Sequence, residues 1–176
     1  IMSNMFNKTY ALSNDNKGKI HAGFSKNQNW PYDWRQFVLI DDSNFQTAVN
    51  LWFSNQADAN ATYGHIKDWN TSAVTNMAHA FQNRSNFNED IGNWDVSQVT
   101  NMQGMFNGAE TFNQNIADWN TSLVENMIGI FSNTSAFNQD IGKWNISSVT
   151  HIWQAFRNAS AFNQDIGDWN MSSVRY

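Results

Sequence analysis

The sequence predicts an α/β repeat fold: a solenoid of short parallel strands and short helices, closed at its amino end by a capping helix. Three observations carry that expectation. Trp69, Trp94, Trp119, Trp144 and Trp169 recur every 25 positions, and Ile66, Ile91, Ile116, Ile141 and Ile166 keep the same beat. Four further apolar columns share it: Val74 to Val149, Met77 to Ile152, Phe81 to Phe156 and Phe87 to Phe162. An amphipathic segment stands just ahead of the first regular unit. A fixed apolar period of roughly 20 to 29 residues marks units that cannot bury their own apolar face and complete the core by stacking.

Within one unit, the stretch from Asp90 onward places Ile91, Trp94 and Val96 so that the last two alternate as strand residues do. Ser97 then stands where a helix N-cap is wanted, ahead of Val99, Met102 and Phe106 at helical spacing. The unit therefore reads as strand, turn, short helix and return loop. Asn88, Asn113, Asn138 and Asn163 follow the closing phenylalanine of each unit, where a side-chain amide can bond the loop backbone of its neighbour.

Three regions follow from this reading. Residues 66–176 hold four full repeats and the start of a fifth. Residues 43–65 are a capping helix and loop, the helix running over 43–53 with Ser43 as its cap and Phe45, Ala48, Val49, Trp52 and Phe53 on one face. Residues 1–42 are an irregular amino-terminal segment, a degenerate repeat plus insertion. Met2, Met5, Phe6 and Asn7 echo Met102, Met105, Phe106 and Asn107, and a strand is expected from Gln36 to Ile40 within turn-rich polar sequence.

Composition limits the function. The chain has 176 residues, the size of one domain, and a net charge of -5 with dispersed acidic residues, which leaves no basic footprint for nucleic acid. Cysteine is absent, so no disulfide or Cys-ligated metal site exists. No apolar run reaches the roughly 20 residues a spanning helix needs, and no membrane insertion by this chain is expected.

The repeated pattern W-[ND]-x-S-x-V-x-x-M-x-x-x-F-x-x-x-x-x-F-N-x-[DN]-I, preceded by TAVNLWFSNQADANATYGHI, resembles the BspA-like leucine-rich-repeat surface proteins, including the mycoplasmal-type surface lipoprotein repeat. The resemblance covers residues 43–176. It implies a leucine-rich-repeat-like solenoid on a cell surface, associated with adhesion or partner binding, and no catalytic residue. One position departs from it, since leucine-rich repeats place Asn where Val74, Val99, Val124 and Val149 stand here.

No phosphate loop or nucleophile motif is present, and His21, His65, His79 and His151 are scattered, so catalytic and cofactor residues are expected to be none and the chain is not read as an enzyme. Calcium is the one ion weighed, at Asp90, Asn115, Asp140 and Asp165 beside each expected strand, with solvated edge residues the preferred reading. The expected binding face is the pair flanking each tryptophan: Asp68 and Asn70, Asn93 and Asp95, Asp118 and Asn120, Lys143 and Asn145, Asp168 and Asn170. Such a row suits repeated polar contacts with a protein or glycan. The expected function is thus a non-enzymatic extracellular or cell-surface interaction module, binding through this face and through the irregular amino-terminal segment. The alternative is a structural or assembly subunit, of a cell envelope or virus-like particle, that associates with copies of itself.

If the tryptophan column is core, Trp119→Ala lowers unfolding free energy by about 3 to 5 kcal/mol, as aromatic truncations in cores do. The outward control Asn120→Ala shifts it by about 0.5 kcal/mol or less. Chemical denaturation of both variants decides, and a near-unchanged Trp119→Ala contradicts the register.

Overall fold

The computed structural model describes residues 5–6, 12–27 and 29–175. Its α-helices are α1 (Asn14–Phe24), α2 (Phe45–Ser54) and α3 (Gln56–Tyr63), and its one sheet among the described residues pairs β1 (Leu39–Asp41) with β2 (Asn70–Ala73) in parallel. This is a small mixed α/β fold. The expected leucine-rich-repeat-like solenoid of short strands and short helices is overturned, because beyond β2 the described residues form turns and isolated bridges, with neither a helix nor a further strand.

The reason lies in the backbone. Each unit carries two residues at positive φ, four positions apart: His79 and Asn83, Gly104 and Gly108, Gly129 and Asn133, Gln154 and Asn158. A left-handed residue every four positions forbids an α-helix. The Ser97 N–H meets the Asp95 carboxylate at 2.9 Å, so the predicted helix cap belongs to a tight turn instead.

Alternate N–H groups in this segment leave the unit. Met102, Gly104, Phe106 and Gly108 donate to the carbonyls of Asn126, Ile128, Ile130 and Ser132 in the next unit, at 2.8–2.9 Å. The N–H groups between them, those of Met105, Asn107 and Ala109, close turns within the unit onto Met102, Gly104 and Phe106. The same alternation joins the unit at Met77 to its successor and the unit at Met127 to the last. Parallel bridges link Asn76 to Asn101, Asn101 to Asn126 and Asn126 to His151.

Backbone registration brings like side chains together. Phe81, Phe106, Phe131 and Phe156 form one column with ring centroids 5.5–5.7 Å apart, and Phe87, Phe112, Phe137 and Phe162 form a second at 5.6–6.0 Å. Trp94, Trp119 and Trp144 are 3–4% exposed, and their indole N–H groups donate to the carbonyls of Ile66, Ile91 and Ile116 one unit back. The Asn88, Asn113 and Asn138 side chains accept the backbone N–H of Asn113, Asn138 and Asn163 at 2.8–2.9 Å.

Ahead of the repeats, Ser13 caps α1 by accepting from the Asn16 N–H, with Asp15 in the first turn. Gly18 lets α1 lie against residue 37, since a Cβ there would meet the Phe37 carbonyl at 2.0 Å. Sequence reading took this helix for turns. The strand expected over Gln36–Ile40 is displaced, because Arg35–Phe37 is a 3-10 turn and β1 begins at Leu39. The helix expected over 43–53 is α2, with Asn44 at its N-cap, while Ser43 bonds back to the Asp41 carboxylate. Met2 and Asn7 of the proposed echo lie outside the described residues.

Helix α2 buries Phe45, Ala48, Val49 and Trp52 in the same core as the repeats, with Phe53 edge-on to Phe81 and Phe87. Asp42, just before it, supplies what a preceding unit would supply. The N–H groups of Glu125 and Asn126 both reach the Thr100 carbonyl, whereas those of Thr75 and Asn76 reach Asp42 Oδ1, at 2.8 and 3.0 Å. Burial pulls the Asp42 carboxyl upward, but hydrogen bonds from the Thr75 hydroxyl and both N–H groups outweigh it, and its pKa falls below the ordinary value.

A depressed carboxylate stabilises the fold above its unfolded pKa, and that contribution is lost as pH falls through the folded value. Asp42→Ala therefore costs about 1 kcal/mol near neutrality, a figure kept low because the group is exposed. The difference from the parent protein shrinks in acid. Urea midpoints of the two proteins at neutral and strongly acidic pH measure both.

Candidate functional site

Two surfaces carry the polar chemistry. The first is the row beside the tryptophan column, where all ten predicted residues, Asp68, Asn70, Asn93, Asp95, Asp118, Asn120, Lys143, Asn145, Asp168 and Asn170, are exposed. The two members of each pair differ. Asn70, Asp95, Asn120, Asn145 and Asn170 each accept the backbone N–H two residues on, at 2.9–3.3 Å, and so build the turn after the tryptophan. Hydrogen bonding from Ser97, side chain first and backbone next, holds the Asp95 carboxyl below its ordinary pKa. Asp68, Asn93, Asp118, Lys143 and Asp168 form no side-chain hydrogen bond among the described residues and present their polar groups to solvent.

The carboxylates and amide weighed for calcium have a local task as well. Asp90, Asn115, Asp140 and Asp165 accept the N–H groups of Gly92, Ala117, Gly142 and Gly167 at 2.9–3.1 Å. Among the described residues no group of three or more His, Asp or Glu is gathered to hold a metal ion. The four histidines stay apart: His65 accepts from the Lys67 N–H, His79 occupies a left-handed turn position and His151 a bridge in the last unit.

The second surface lies at the amino-terminal end, in the irregular segment that the sequence marks for binding without singling out a residue. Trp30, Tyr32 and Trp34 stand at alternate positions in the segment that breaks the repeat and pack against one another at 4.9–5.7 Å. Beside them Arg35 grips Asp33 with two bonds, Nε to Oδ1 at 2.8 Å and Nη2 to Oδ2 at 2.6 Å. That grip lowers the Asp33 pKa to about 2. Two hollows share the pair in their linings. One, about 330 Å3, is lined by Asn60, Tyr63, Gly64, His65 and Asp68 with the pair itself, and the other, about 310 Å3, by His21, Trp30, Pro31, Tyr32 and Ala61 with the same pair. Burial raises the Tyr63 pKa against the opposing pull of Lys26, so its phenol keeps its proton.

His21 ties α1 to this end. It is 3% exposed, its Nε2 is 2.9 Å from the Ala61 carbonyl, and its Nδ1 accepts the Trp30 indole N–H at 3.0 Å. These partners define the neutral Nε2–H tautomer. The available signals were Ser13 with Asp15 as a helix start and three aromatics in five residues at Trp30–Trp34.

A small mixed α/β protein, most of it a regular repeat with polar groups at its exposed turns, is the class that fold and surface define. The family described as Mycoplasma protein of unknown function, DUF285, matches residues 47–169, and the chain belongs to that family. No curated protein and no solved structure shows a significant match.

Burial lowers the His21 pKa, and the attraction of Asp33 and the bond to Ala61 only partly offset it. The unfolded chain then binds more protons between the folded pKa and about 6.5, so stability rises with pH across that window. A nuclear magnetic resonance titration is expected to place the His21 midpoint below 6.5, with the Trp30 indole N–H signal shifting as the ring is protonated. A midpoint at or above the ordinary value contradicts burial as the dominant influence on the ring.

Proposed function

We propose that this chain is a non-enzymatic surface or extracellular interaction module that binds a protein or glycan partner. The observation that carries the reading is the exposed row, in which each unit offers one turn-building residue and one free polar group at a spacing set by the hydrogen-bonded repeat. Evenly spaced polar groups on a fixed backbone bind with little ordering cost, because the surface is already organised. The repeat's resemblance to BspA-like surface proteins supports the surface setting.

A second reading is an assembly subunit that contacts copies of itself, an association that the large apolar side chains exposed on the repeats, Leu123 at 46% and Trp153 at 62%, would serve.

Panels of glycans and purified surface proteins, probed with the folded chain, test the first reading. Saturable binding is expected, weakened at least tenfold by combined Asn93→Ala, Asp118→Ala and Lys143→Ala without loss of thermal stability. Absence of any ligand, with turnover of a small substrate, contradicts it. Sedimentation tests the second reading, which predicts a concentration-dependent oligomer that Trp153→Ser dissociates.

A further inference from the structure

The geometry points to the paired hollows around Asp33 and Arg35 as a binding site for a neutral sugar. This inference rests on the binding reading above and gives it a location and a ligand class. Both hollows fall at the lower end of the range for small-molecule sites, about 300–1,000 Å3. They share the Asp33–Arg35 pair and differ in character: Trp30, Pro31 and Tyr32 wall one, and Asn60, Tyr63, His65 and Asp68 line the other. A pyranose has both surfaces, an apolar C–H face and a rim of hydroxyls.

Charge selects among ligands. The Arg35 Nε and Nη2 are already committed to Asp33, so the fork is not free to grip a carboxylate or phosphate. Asp68 adds a second carboxylate to the lining, which disfavours an anion further. A cation finds Asp33 neutralised by its partner and is left with Asp68 alone. Hydroxyl groups, which both donate and accept, match the mixture of amide, phenol, imidazole and carboxylate.

Trp30, Tyr32, Asp33 and Arg35 lie outside the buried core, and the segment has no counterpart in the repeat. Trp30 has one ring face on Phe24 and Tyr32 one on Trp34, an arrangement that holds both as fixed walls. Asp68 belongs both to the polar hollow and to the first position of the exposed row, so the two surfaces are continuous.

The test uses saturation-transfer nuclear magnetic resonance on the whole chain with glucose, galactose, mannose and N-acetylglucosamine, and with sialic acid as the anionic comparison. At least one neutral sugar is expected to bind and to perturb tryptophan fluorescence, with sialic acid failing. Asn60→Ala with Asp68→Ala is expected to weaken that binding at least tenfold, whereas Glu110→Ala, at an exposed residue in neither the hollows nor the row, leaves it unchanged. Should the first pair unfold the protein, Tyr63→Phe removes a single hydroxyl and is expected to weaken binding several-fold. Failure of every neutral sugar, preference for sialic acid, or binding that survives the substitutions in the hollow overturns the inference. A protein partner captured by the row in the same preparations leaves the broader binding reading standing while this one falls.

Discussion

Pairs of left-handed residues turn alternate backbone N–H groups of one repeat onto the carbonyls of the next, and the remainder of the repeat region depends on that exchange. With Gly104 and Gly108 at positive φ, Met102, Gly104, Phe106 and Gly108 all donate in the same direction. Four bonds at one junction fix the register between units, so Phe106 lands on Phe131 and Phe112 on Phe137. Aromatic stacking and apolar burial then stabilise a core whose layout the backbone has already set. Non-glycine residues at these positions cost about 1 kcal/mol each, which the repeated hydrogen bonds offset.

A stack held by directed N–H groups needs a different solution where irregular sequence precedes the first repeat. At the amino end Asp42 offers a carboxylate where the interior offers a carbonyl, and α2 lays Phe45 and Phe53 over the first aromatic layer. Helix α1, the turn at Arg35–Phe37 and α3 pack around this closure, and the hollows beside Asp33 and Arg35 exist because they do. The amino-terminal end is thus where irregular sequence becomes irregular surface. The repeats instead provide a uniform one, with Asx turns under every exposed pair.

What the sequence disclosed was set by what repeats. The columns of Trp, Phe, Ile and Val identified the core, and the residue after each closing phenylalanine forms the amide ladder at Asn88, Asn113 and Asn138. Helix α2 was legible from its apolar stripe. The local structure of the unit was not, because the spacing of Val99, Met102 and Phe106 fits a helix as well as a train of turns. The left-handed positions are occupied by His79, Asn83, Gln154 and Asn158 as well as by glycines, so no single residue type marks them. Helices α1 and α3 lack an apolar stripe and stand on their caps at Ser13 and Asn55. The hollows join residues 33–35 to residues 60–68, a juxtaposition that only the fold creates.

Hydrogen exchange tests the directed N–H exchange most directly. Gly104, Phe106 and Gly108 donate to the following unit, while the N–H groups of Gln98, Glu110 and Gln114 in the same repeat meet no acceptor among the described residues. Amide exchange followed residue by residue is predicted to show strong protection at the first three and at least a hundredfold faster exchange at the last three. Equal exchange rates at the two sets would contradict the account, because the repeats would then be held by side-chain packing without backbone exchange between them.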